Sequence, residues 1–192
     1  QYLADSIRAV TPFSLKDLPE TARPDTETAD PETYVRYAFD QSGVSQRLLP
    51  GTGTHLVVAD SDEHTPDGHI TEDLSVRTRM VDKRLAKRRV LEDSAVPPEA
   101  DGPEEPELLF ITWGSSKGAV LRAASDLRKQ GRYVGTLHFR QVCPLVPEQF
   151  QQRLESAGRT VCVEGNATGQ LARLIRQETG FAVDQLINRY DG

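Results

Sequence analysis

The stretch that decides the fold is LLFITWGSSKGAVLRAASDLRKQGRYVGTLHF, residues 108–139. LLFITW (108–113) is a continuous apolar run of the kind that fills a strand covered on both faces. GSSKG (114–118) follows at once. Ala119, Val120, Ala123, Ala124 and Leu127 then recur at helical spacing, and Gln130-Gly131 stops them. YVGTLHF (133–139) reads as a second strand. Strand, helix and strand in this order form a βαβ unit, the signature of a parallel sheet.

Toward the C-terminus the pattern repeats. A turn, CPLVP (143–147), leads into a short helix that starts near Pro147 and carries Phe150 and Leu154. TVCVEG (160–165) is a third strand. A last helix starts near Thr168 and places Leu171, Leu174 and Ile175 on one face before Gly180. Phe181 to Leu186 reads as a short fourth strand. Residues 108–192 are therefore expected to be an α/β domain, a parallel sheet between two helical layers.

Upstream the charge pattern changes. Residues 92–107, EDSAVPPEADGPEEPE, hold seven acids, four prolines and no base, whereas residues 108–192 hold 11 bases against seven acids. Most of the formal charge of −6 thus comes from the 92–107 segment. A Pro/Glu/Asp/Gly mixture resists a packed core, so an exposed, mobile acidic linker is expected there. Residues 11–33 read as irregular chain, HLVVA (55–59) as strand-like, and SVRTRMVDKRLAKRRVL (75–91) as a basic amphipathic helix. In that helix Val76, Met80, Val81, Leu85, Val90 and Leu91 are expected to face inward, with Arg79, Lys83, Lys87 and Arg88 facing out.

The same composition excludes several classes. No stretch approaches the roughly 20 apolar residues of a transmembrane helix. Two cysteines, Cys143 and Cys162, are too few for a disulfide scaffold or for a cluster held by four thiolates. The arginines of the C-terminal block are too dispersed for a nucleic-acid footprint. QYLADSIRAV shows no secretory signal. The expectation is a cytoplasmic protein with neither a membrane nor a nucleic acid as partner.

Chemistry-bearing residues are sparse. The loop DSDEHTPDGHITED (60–73) sets His64 and His69 among Asp60, Asp62, Glu63, Asp67, Glu72 and Asp73. These donors suit zinc, iron or manganese. The spacing matches neither H-E-x-x-H nor a calcium loop, and local turns explain the same letters, so no metal ligand is assigned. GSSKG and GNATG (165–169) each lie between a strand and a helix, where backbone N–H groups could receive an anion. Neither matches a nucleotide motif, and tight turns capped by Ser115 or Ser116 and by Thr168 explain them equally. Trp113, His138, Arg140 and Glu164 stand at strand ends and could line a ligand crevice. The alternative for Glu164 is a carboxylate satisfied by neighbouring N–H groups. No catalytic constellation is visible.

Three stretches together resemble a known family. EHTPDGHITED (63–73) with MVDKRLAK (80–87), TWGSSKGAVLRA (112–123) with VGTLHFRQVCPL (134–145), and VEGNATGQLARLIRQETG (163–180) are similar, in this order, to the alpha subunit of 2-oxoacid:ferredoxin oxidoreductases of the 2-oxoglutarate synthase type. The resemblance implies a transketolase C-terminal-like domain at 108–192 and a remnant of the thiamine pyrimidine-binding domain at 1–10. A connecting segment at 11–91 and the linker at 92–107 lie between them.

It also implies oxidative decarboxylation of a 2-oxoacid, 2-oxoglutarate by type, to acyl-CoA and CO2, with electrons passed to ferredoxin. Thiamine diphosphate, Mg2+ and a [4Fe-4S] cluster would lie mainly in a beta subunit, and none in this chain. The segment itself would be scaffold and subunit interface, inactive alone and with no catalytic residue. Its motif-level candidates for interface or cleft are Glu63, His64, Gly68 and His69, then Gly114, Ser115 and Gly118, then Glu164, Asn166, Gly169 and Gln170. A stand-alone, non-catalytic α/β binding or assembly module is the alternative.

Overall fold

The computed structural model describes residues 14, 33–48 and 56–191. The expectations for residues 1–10 and for most of 11–33 lie outside them. The chain divides between Asp93 and Ser94 into two compact units.

In the first unit one long helix, α1 (Leu74–Asp93), is the only regular element among the described residues. Asp73 starts it: its Oδ1 accepts the Ser75 amide and hydroxyl, both at 2.7 Å. The inward face is not the expected apolar stripe. Met80 and Lys83 are the buried residues of α1, whereas Leu85 is 65% exposed. The reason lies in residues 37–45, which cross the helix on its Met80–Lys83–Lys87 side. Gly43 has φ +72°, and a Cβ there would overlap the Lys83 carbonyl and the Lys87 amide nitrogen. Asp40 Oδ1 shapes this turn by accepting the Ser42 amide at 2.7 Å and the Gly43 amide at 2.8 Å. Lys83 Nζ donates to Ser45 Oγ at 2.5 Å, and the Arg79 guanidinium lies 3.9 Å from the Phe39 ring centroid. Periodicity reports which faces exist; the crossing backbone chose the basic one. Residues 56–60 form no strand, contrary to the reading of HLVVA.

The second unit is a five-stranded sheet ordered β1-β3-β2-β4-β5. β1 is Glu99–Asp101, β2 Leu108–Trp113, β3 Val134–Phe139, β4 Thr160–Glu164 and β5 Gln185–Asn188. Pairings from β3 through β2 and β4 to β5 are parallel; β1 is antiparallel to β3. α2 (Lys117–Lys129), α3 (Gln151–Glu155) and α4 (Gln170–Thr179) connect the parallel strands. The last strand begins four residues later than expected, because Phe181 and Val183 pack against the core as irregular chain and Asp184 anchors the entry. The Asp184 carboxylate accepts the Thr160 amide at 2.7 Å and the Thr160 hydroxyl at 2.8 Å.

Alternation along the strands sorts the two faces. Leu109, Ile111, Leu137, Phe139 and Cys162 pack with Leu145, Phe150, Leu154, Leu171, Ala172 and Ile175 in one core, which holds α3 and α4. Phe139 meets Phe150 edge-on at 5.0 Å. α2 packs Val120 and Ala124 on the other face, against β2 and β3. With both faces covered, all six residues of β3 are buried.

The acidic segment is the main correction. Residues 94–107 run along this domain rather than standing off as a tether. Val96 N donates to Gln141 Oε1 at 3.2 Å, Glu99–Asp101 pair with β3, the Ser156 hydroxyl donates to the Glu104 carbonyl at 2.9 Å, and Gly158 N donates to the Pro106 carbonyl at 2.9 Å. Apolar content, the basis of the linker reading, does little to hold the segment: of residues 94–107 only Pro106 is buried. A sheet edge offers unpaired backbone groups to any strand that can reach it. The segment's acids also meet bases of the following block: Glu99 with Lys117 and Arg140, Asp101 with Arg128, Glu107 with Arg132. No helix among the described residues is long and apolar enough to cross a membrane.

Candidate functional site

From the end of β2 the chain crosses by α2 to β3 on one side; from the end of β4 it crosses by α4 to β5 on the other. The two connections diverge above the β2–β4 pair, the place where open α/β sheets leave a crevice. A cleft of about 210 Å3 lies there, lined by Trp113, Gly114, Ser115, Ser116, Gly165, Asn166 and Gln170. Five of the sequence candidates, Trp113, Gly114, Ser115, Asn166 and Gln170, therefore meet in one place.

Beneath the cleft Glu164 is 1% exposed. Its Oε2 accepts Trp113 Nε1 at 3.2 Å, Asn166 Nδ2 at 2.8 Å and the Leu171 amide at 2.8 Å. Its Oε1 accepts the Ala172 amide at 3.1 Å and the Cys162 thiol at 3.4 Å. Burial pushes the carboxyl pKa up, but the Leu171 and Ala172 amides and the Asn166 side chain outweigh it and hold the group below its ordinary value. A carboxylate at the N-terminus of α4 also complements the helix dipole. Glu164 is thus an internal anchor with its lone pairs taken, as in the alternative reading above. The neighbouring Cys162 thiol is pushed up by burial and by the Glu164 charge, which leaves it a neutral, inert core group.

The GNATG turn is built by Asn166. Its Oδ1 accepts the amides of Thr168 at 3.1 Å, Gly169 at 2.8 Å and Gln170 at 3.3 Å. Thr168 makes no cap, contrary to expectation; an Asx-type turn already serves those amides. Gly169 has φ +65°, and its missing side chain leaves room for Leu186 of β5. At the other turn Ser115 and Ser116 form a single 3-10 turn with Gly114, and neither hydroxyl caps α2. Gly118 is in the first turn of α2, outside the cleft lining. Of the four strand-end residues, Trp113 and Glu164 meet, whereas Arg140 sits with Glu99 and Lys117, near His138.

Glu63, His64, Gly68 and His69 belong to the first unit, where they hold one loop closed. Glu63 takes both Arg84 nitrogens, at 3.0 and 2.8 Å, and this ion pair holds its carboxyl below the usual range. The His64 ring stacks on Tyr37 with centroids 3.9 Å apart, and His64 bridges to Ile70 across the loop. Gly68 has φ +98°, with the Val58 carbonyl where a Cβ would be. The His69 carbonyl accepts the Thr65 amide at 2.8 Å, and its ring is exposed.

Among the described residues these arrangements offer no ligand set for a metal or a cluster: no three His, Cys, Asp or Glu side chains converge. The acid at the cleft is already committed to five donors, and the two cysteines lie apart, Cys143 exposed and Cys162 buried. Sequence reasoning offered backbone N–H groups for Glu164 but missed its side-chain donors Trp113, Cys162 and Asn166, and it missed the partners of the 94–107 segment. For the first, Asn166 three residues before Gly169 was a readable Asx signal; for the second, only opposite block charges hinted at contact.

No protein-family model matches the chain. Among curated proteins it is 33% identical over 165 residues to the alpha subunit of 2-oxoacid:ferredoxin oxidoreductase 1 of Sulfurisphaera tokodaii, covering 83% of this chain and 25% of that protein. It is 31% identical over 149 residues to the 2-oxoglutarate oxidoreductase subunit KorA of Mycobacterium tuberculosis, covering 76% of this chain and 22% of that protein. Among solved structures, the 2-oxoglutarate:ferredoxin oxidoreductase of Magnetococcus marinus, with 2-oxoglutarate, coenzyme A and succinyl-CoA bound, superposes with a TM-score of 0.68 at 26% identity, covering 82% of this chain and 27% of that one. The chain spans about a quarter of the length of these relatives. With sequence and mostly parallel α/β fold agreeing, the chain belongs to the family of 2-oxoacid:ferredoxin oxidoreductase alpha subunits.

Proposed function

We propose that this chain is the C-terminal, transketolase-C-terminal-like part of an alpha subunit whose complete enzyme oxidatively decarboxylates a 2-oxoacid, 2-oxoglutarate, to acyl-CoA and CO2. Electrons go to ferredoxin, in the cytoplasm. The observation that carries this reading is the 33% identity to an archaeal alpha subunit over 83% of the chain. The choice of 2-oxoglutarate is favoured by the bound ligands of the Magnetococcus marinus relative and by the name of the mycobacterial one. Thiamine diphosphate, Mg2+ and the [4Fe-4S] cluster are assigned to a beta subunit on the family resemblance. Such cofactors carry the bond chemistry, while the protein orients and encloses them.

This segment's own work is then structural. Glu164 and Asn166 hold the β4–α4 turn rigid, and Gly114, Ser115 and Gln170 present polar groups at the cleft for contact with the rest of the enzyme. Glu63, His64, Gly68 and His69 keep the loop of the first unit in one shape for a subunit interface. The test is anaerobic assay of the full coding sequence, co-expressed with the neighbouring beta-subunit gene, against a panel of 2-oxoacids with coenzyme A and a viologen acceptor. Coenzyme A-dependent viologen reduction with 2-oxoglutarate preferred is expected. No turnover with any 2-oxoacid from an assembled complex would overturn the reading, and preference for pyruvate would overturn the substrate.

A further inference from the structure

On the opposite flank of the sheet from the cleft's β4 side, one carboxylate is shared by two cations. Glu99 on β1 receives Lys117 Nζ on its Oε2, while Arg140 Nε stands 3.4 Å from its Oε1. Lys117 is the first residue of α2, and the first turn of that helix carries no acid. A lysine at a helix N-terminus opposes the dipole, so the helix end adds to the positive potential rather than cancelling it. His138 lies directly opposite Glu99 in the β1–β3 register and therefore shares its face. It is 6% exposed, and its Nδ1 has no partner. Burial and Lys117 hold its imidazole below the ordinary value against the pull of Glu99. The cluster thus has two permanent cations, a helix N-terminus and an unsatisfied buried imidazole around a single negative charge.

We infer that this cluster is a binding site for a dianion, a phosphate or phosphate monoester, whose place between Lys117 and Arg140 is held in this structure by the Glu99 side chain. A dianion matches the two cations where one carboxylate leaves an excess of positive charge, and the Arg140 fork suits phosphate oxygens. Glu99 can leave without unzipping the core. It lies on a three-residue antiparallel edge strand, and its ion pairs are at the surface. The site is independent of the enzymatic assignment above.

The experiment is a titration of the 192-residue chain with inorganic phosphate, AMP and acetate at constant ionic strength, followed by NMR at the Lys117, His138 and Arg140 side chains. Saturable shifts with phosphate or AMP, absent with acetate, are expected. Binding should be several-fold tighter in Glu99→Gln and lost in Arg140→Gln, whose side chain is 59% exposed and safe for folding. Tighter binding of AMP than of phosphate identifies an ester; equal binding identifies free phosphate. No saturable shift in wild type and in Glu99→Gln, an equal response to acetate, or shifts that persist in Arg140→Gln would each overturn the inference. Should Glu99→Gln fail to fold, the wild-type and Arg140→Gln titrations decide alone.

Discussion

Trp113 and Glu164 end neighbouring parallel strands, and the indole Nε1 of the first donates to the carboxylate of the second at 3.2 Å. The bond ties the rim of the cleft to the carboxylate that anchors α4. One side chain thereby joins two residues of the cleft lining, Trp113 and Asn166, to the start of a helix.

Glu164→Gln should therefore be costly. The new amide would face the Leu171 and Ala172 N–H groups with a donor, leaving buried groups unpaired, at a cost on the order of 3 kcal/mol. The wild-type carboxyl has a depressed folded pKa, so its contribution is present above the unfolded value, near 4.5, and is lost as pH falls through the folded one. Urea melts at pH 7 and at progressively lower pH should show wild type losing stability in that acid window and Glu164→Gln losing less. Parallel curves for the two proteins would refute the anchor.

Asn166→Leu removes the acceptor of three turn amides and one donor to Glu164. We expect a loss of about 1–2 kcal/mol in the isolated chain, larger than for an ordinary exposed substitution. The check is chemical denaturation; a change within 0.5 kcal/mol, roughly the range of neutral surface substitutions, would mean water replaces the side chain.

Gly169→Ala and Gly114→Ala make a matched pair. Both glycines have positive φ, +65° and +59°, but only at Gly169 would a Cβ meet a neighbour, Leu186 at 3.0 Å. Each substitution carries about 1–2 kcal/mol of backbone strain. The Gly169 variant should lose more, with selective loss of amide protection in β5 measured by hydrogen exchange. Equal losses would show that Leu186 yields freely.

Lys83→Met in the first unit should be tolerated or stabilising. The ammonium is buried, and burial pushes its pKa down against the help of Asp40. A methionine keeps the packed stem without the desolvated charge, so a change between zero and about 1 kcal/mol of added stability is expected. Thermal unfolding measures it; a loss well beyond 1 kcal/mol would show that the bond to Ser45 dominates.

The strands β2, β3 and β4, the three following helices and the place of the two turns were legible in residues 108–180, because apolar runs and 3.6-residue spacing are local properties. The candidates Gly114, Ser115, Asn166 and Gln170 could be named from the same residues, since strand-to-helix turns mark where a parallel sheet opens. Whether Glu164 faces a ligand or its own backbone was not legible. Five donors from β2, β4, the turn and α4 decide that, and they become neighbours only when Ile111 pairs with Cys162.

The acidic segment shows the same division more sharply. Its seven acids and four prolines say truly that it can build no core, and local composition carries nothing more. That Glu99–Asp101 close the β3 edge depends on a vacant strand position and on Lys117, Arg128 and Arg140 standing beside it. Edge pairing and ion pairing reach across tens of residues of chain, so their partners are fixed by folding and not by any window of sequence. The inward face of α1 follows the same rule: the spacing of its residues offered several faces, and the close passage of Gly43 selected the one bearing Met80 and Lys83.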